Sequence, residues 1–99
     1  MTGAEKISEE RHEQLFIHRI SIEQDAKYNS EGQLAEGARG ITLADIEERR
    51  KAIPNNWEVP LWEKMIAKDY KSRVAIAGAL LAAEIDRLNF KPIKNKKQE

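Results

Sequence analysis

The chain has 99 residues, 34% charged and 40% hydrophobic, which suits one domain around one core. Its 17 basic residues balance its 17 acidic ones; this argues against general nucleic-acid binding, whose affinity comes from neutralising phosphates. The absence of cysteine excludes disulfides, thiolate zinc sites and thiol catalysis, and no apolar run approaches the ~20 residues of a membrane span.

The elements are predicted in chain order from caps, breakers and periodicity. Thr2 and Glu5 form a capping box that opens a helix running to about His18. The apolar residues of that helix crowd its C-terminal end as Leu15, Phe16 and Ile17, so its first turns are expected to be exposed. Its acidic start is not that of a signal peptide. Ser21 to Gln24 read as a second capping box, ahead of a turn at residues 29–32. A small-residue helix over residues 31–39 contains Gly37. A glycine there costs roughly 1 kcal/mol against alanine, which points to close approach by another backbone or a ligand.

Thr42-Leu43-Ala44-Asp45 resembles a further N-cap, with Asp45 favourable near the positive end of a helix to about Ala52 that Pro54 stops. Pro60 starts a short helix to about Ile66, and Asp69 caps a last helix over residues 70–89. On that helix Val74, Ala77, Leu81, Ile85 and Leu88 fall at spacings of three and four. This is the stripe expected to be buried. No segment sustains period-two alternation. The fold is therefore read as all-α, a single helical domain of four to five helices over residues 1–90 with a basic tail over 91–99. Few aromatics and an alanine-rich last helix leave apolar surface for a partner, so a homo-oligomer is expected.

Strong catalytic motifs are absent. There is no phosphate loop, dinucleotide fingerprint or nucleophile elbow. Glu9, Glu10 and Glu13 could hold magnesium for a nucleotide hydrolase, but a solvated helix face is the simpler reading. Glu23, Gln24 and Asp25 sit in one turn before Tyr28 and could grip hydroxyls or ring nitrogens of a ligand, or simply cap and tie a loop. Arg11 and Gln14 share a helix face. The expected ligand site is therefore Arg11, Gln14, Glu23, Gln24, Asp25 and Tyr28, closed by Trp62 or by Lys71 and Arg73, with Arg11 pairing with Asp25 when no ligand is present. Trp57 and Trp62 lie near basic residues that could hold a phosphate, although core packing is the simpler reading for at least one of them.

Several segments, taken together, carry a resemblance. They are Glu10-Arg11-His12-Glu13-Gln14, Ile20-Ser21-Ile22-Glu23-Gln24-Asp25 and Gly32-Gln33-Leu34-Ala35-Glu36-Gly37-Ala38. After the Trp57–Trp62 loop comes Ala77-Gly78-Ala79-Leu80-Leu81-Ala82-Ala83-Glu84-Ile85-Asp86-Arg87-Leu88. Over residues 9–89 this order resembles a family of uncharacterised small phage and prophage proteins. The departures are Ile20, Gln24 and Ala26 where that pattern has tryptophan, histidine and a second aspartate. The resemblance implies a phage-type origin and carries no activity. The expected function is a cytoplasmic accessory protein of an infected bacterial host, acting in counter-defence by binding without a cofactor. In its most concrete form it is an oligomer that sequesters a nucleotide-like immune signal. A magnesium-dependent nucleotide hydrolase and a direct inhibitor of a host defence protein are the alternatives.

Overall fold

The computed structural model describes residues 1–17 and 22–90; of Phe16 and Ile17 only the backbone is described. The second capping-box residue Ser21 and the expected tail over 91–99 lie outside the described residues. The fold is all-α, with six α-helices and one π-helical turn among the described residues.

Helix α1 spans Gly3–His12, and both halves of its predicted capping box form: Thr2 Oγ1 accepts from Glu5 N, and Thr2 N donates to Glu5 Oε1. The α-helix is shorter than expected because residues Glu13–Ile17 continue as a π-helical turn. Helix α2 is Ile22–Tyr28 and α3 is Gln33–Ile41, shifted two residues toward the C-terminus of the predicted segment. Gly40 lies within α3, where a Cβ would come 2.7 Å from that of Ala52. Helix α4 is Ile46–Lys51 and starts later than read, with Asp45 as its N-cap accepting from Glu48 N, while Thr42 closes α3. Helix α5 is Val59–Ile66, with Pro60 in its first turn, and α6 is Tyr70–Asn89.

Helix α6 is the axis of the fold; α1, α2 and α3 all pack against it. The core joins Leu34, Ala38 and Ile41 of α3, Trp62 and Ile66 of α5, and Ile76, Ala77, Leu80 and Ala83 of α6. The close approach at Gly37, expected from a backbone or a ligand, is made instead by an indole. A Cβ there would lie 2.6 Å from Trp57 Cη2.

The stripe on α6 is corrected by the structure. Ala77 is buried, but Leu81 is 48% exposed, Ile85 60% and Leu88 66%, and Val74 is also exposed. The helix is apolar on two faces. The one with smaller side chains lies against α3, where Gly37 and Ala38 let the helices approach closely.

Two buried arginines fasten the α3–α5–α6 side. Arg49 Nε donates to Ile66 O at 3.2 Å, and its Nη1 donates to the carbonyls of Leu43 and Ala44 at 2.7 and 2.9 Å. Arg73 Nε donates to Lys68 O, and its Nη1 donates to the carbonyls of Ile41 and Leu43. These carbonyls sit at or just beyond the ends of α3 and α5, where the helix offers partial negative charge and unpaired acceptors. The guanidinium charges are thereby met by backbone dipoles.

Candidate functional site

On the opposite side of α6, where α1 and α2 meet it, lies a polar cluster. The i, i+3 spacing of Arg11 and Gln14 survives the change from α-helix to π-turn, and Arg11 Nη1 donates to Gln14 Oε1 at 3.0 Å. Arg11 Nη2 donates to Asp86 Oδ2 of α6 at 2.9 Å. The ion-pair partner of Arg11 is therefore Asp86, a residue the sequence reading did not include, rather than Asp25.

Asp25 on α2 is only 1% exposed. Its Oδ1 accepts from Asn29 Nδ2 at 2.9 Å, one helical turn on, and Asn29 Oδ1 in turn accepts from Trp57 Nε1 at 2.9 Å. The indole that covers Gly37 thus holds the amide that holds the carboxylate. Near these groups Arg87 donates twice to Glu84, at 2.7 and 2.8 Å. Burial pushes the Asp25 carboxyl above its ordinary pKa. The Asn29 hydrogen bond and the Arg11 charge pull it back, and the charges of Glu84 and Asp86 add to the rise.

Two atoms of this cluster, Arg11 Nε and Asp25 Oδ2, are buried and find no hydrogen-bond partner among the described residues. A buried polar group left unsatisfied costs about 1–3 kcal/mol. One of the two is a donor and the other an acceptor. An open groove of about 520 Å³ runs beside Arg11 between α1 and α6, with Ile7, Leu15 and Ala82 on its walls.

The structure thus brings together three of the expected residues, Arg11, Gln14 and Asp25. Glu23, Gln24 and Tyr28 share α2 with Asp25 but are exposed. Trp62 lies in the core with Nε1 donating to Arg49 O at 2.9 Å. Arg73 is committed to its three carbonyls, and Lys71 is exposed at the start of α6. Asp86 and Asn29 were missed, and Trp57, read as a candidate for ligand stacking, serves instead to hold Asn29. The only signal for Asn29 was its place four residues after Asp25, which allows contact along a helix. On α1, Glu9 pairs with Lys6 at 3.2 Å, and no group of three histidine, aspartate or glutamate side chains among the described residues is placed to hold a metal ion.

No protein-family model, curated protein or solved structure matches this chain.

Proposed function

We propose that the protein is a phage-type accessory protein acting in counter-defence by binding, and that its ligand is a small nucleotide-like molecule held at the Arg11–Asp25 cluster. The observation that supports this reading is the pair of unpartnered buried atoms, a donor on Arg11 and an acceptor on Asp25. A nucleotide carries both acceptors and donors, the kinds of group that each of these atoms lacks. The remaining nitrogens of Arg11 are tied to Gln14 and Asp86, and Asp25 Oδ1 is tied to Asn29, so the two atoms are held without help from the ligand. Binding then costs less ordering of side chains.

The test is calorimetric titration of the full chain with adenosine and guanosine monophosphates and with a cyclic dinucleotide, beside Arg11→Gln and Asp25→Asn. The parent is expected to bind at least one of these probes. Each variant should keep its helical circular dichroism and lose binding at least tenfold. Equal binding by parent and folded variants, or no binding of any probe by the parent, contradicts the reading. Magnesium-dependent turnover of a probe would favour the hydrolase alternative.

A further inference from the structure

We infer that the solvent face of α6 is the contact surface for a second copy of this chain. The inference does not rest on the ligand reading. Among the 20 residues of α6, the exposed ones are Tyr70, Lys71, Val74, Leu81, Ile85, Leu88 and Asn89. Between Lys71 and Asn89 the exposed residues Val74, Leu81, Ile85 and Leu88 are all aliphatic; the one charged side chain at their edge with comparable exposure, Asp86, is 41% exposed and paired with Arg11. Surface helices of globular proteins ordinarily turn charged and polar residues outward, and α6 does the reverse.

The stripe has the spacing of a helix–helix seam. Residues 74, 78, 81, 85 and 88 follow one another at steps of four, three, four and three, the heptad repeat by which two helices interlock. Position 78 is glycine, and Ile7 of α1 fills the place of its side chain. A Cβ at Gly78 would come 2.5 Å from Ile7 Cδ1. At its N-terminal end the stripe opens into a groove of about 580 Å³ between α1 and α6, with Met1, Ile7, Tyr70 and Val74 on its walls.

The chain's own C-terminal segment is a poor cover for this face. Residues 91–99 hold one aliphatic residue, Ile93, with four lysines, and burying lysines on an apolar stripe is unfavourable. A second α6 brings instead a matching uncharged stripe, so pairing buries no lone charge. The exposed parts of Tyr70, Val74, Leu81, Ile85 and Leu88 amount to roughly 500 Å², at the upper end of the largest apolar patch on a typical monomer. Two such faces together reach the roughly 1,000 Å² that a specific interface requires.

Sedimentation velocity of the full chain from low to high micromolar concentration tests the inference. The parent should move from 11.4 kDa toward twice that mass as concentration rises, a readout that needs no variant. Leu81→Glu with Ile85→Glu should remain at 11.4 kDa throughout with unchanged helical circular dichroism, while Leu81→Met with Ile85→Leu should still pair. A parent that stays at 11.4 kDa at every concentration overturns the inference, and so does a folded glutamate variant that still doubles.

Discussion

Arg73 and Arg49, on the side of α6 that faces α3 and α5, reach backbone carbonyls and leave no buried polar atom unpartnered among the described residues. Arg11, on the side that faces α1 and α2, reaches two side chains and leaves its Nε unpaired, and Asp25 on the same side leaves Oδ2 unpaired. All three arginines are buried. The difference is that the first two serve as caps for helix ends, where the acceptors are fixed parts of the fold. The third sits among groups that can change partners. Burial of charge alone does not mark a functional site. What separates the two regions is unfinished hydrogen bonding, which a fold tolerates only at a cost.

The largest expected effect lies on the finished side. Leu80 is in the core, and Leu80→Ala should cost about 2–5 kcal/mol in urea unfolding. A cost below roughly 1 kcal/mol would mean that the wrong face of α6 has been taken as buried.

A comparison of arginines sharpens the contrast. Arg73→Met strips the buried Ile41 carbonyl and the half-buried Lys68 carbonyl of their donor, while Leu43 O keeps Arg49 Nη1, and should cost about 3 kcal/mol, since an abandoned buried acceptor is expensive. Arg11→Met leaves behind Asp86, whose side chain is 41% exposed and stays hydrated, and should cost about 1 kcal/mol or less. Equal costs in parallel urea titrations would remove the distinction between the two regions.

The smallest effect is in pH dependence. Burial raises the folded-state pKa of Asp25 above the ordinary 3.8. Its contribution is therefore fully present below pH 3.8 and is lost as pH rises through the raised folded value. Glu84, held by Arg87, has the opposite sign. Its pKa is lowered from 4.5, so its contribution is present above pH 4.5 and is lost as pH falls through the lowered value. Asp25→Asn should remove the alkaline-side loss and leave the acid-side loss in place. Melting temperatures across acid to neutral pH read both limbs, and a parent and variant with parallel curves would show that Asp25 ionises freely.

Much of the fold could be read along the chain because its signals are local. The bounds of α6 and the capping box at Thr2 each follow from a few neighbouring residues, whereas the cap of α4 falls at Asp45 rather than Thr42 and the close approach at Gly37 comes from an indole rather than a backbone or a ligand. The buried face of α6 could not be chosen that way. Both faces are apolar, and the choice depends on the shape of α3, which admits Ile76, Leu80 and alanines in place of the larger stripe. Arg49 and Arg73 read as surface charges until the ends of distant helices arrive beside them. At the candidate site, the Arg11–Gln14 pair was legible as an i, i+3 contact. The Arg11–Asp86 and Trp57–Asn29 bonds span 75 and 28 residues of sequence, and no local pattern announces them.

The most direct measurement of the central claim, that the Arg11–Asp25 cluster is kept unfinished for a ligand, is side-chain nuclear magnetic resonance of the full chain. The Arg11 Nε–H and Asp25 carboxyl signals would be followed while the best-binding nucleotide probe is added. The account predicts that both signals shift together and saturably, and that the Asp25 pKa, raised without ligand, falls when the ligand supplies a donor to Oδ2. Saturable binding with both signals unmoved, or an Asp25 pKa at or below its ordinary 3.8 before any ligand is added, would contradict it.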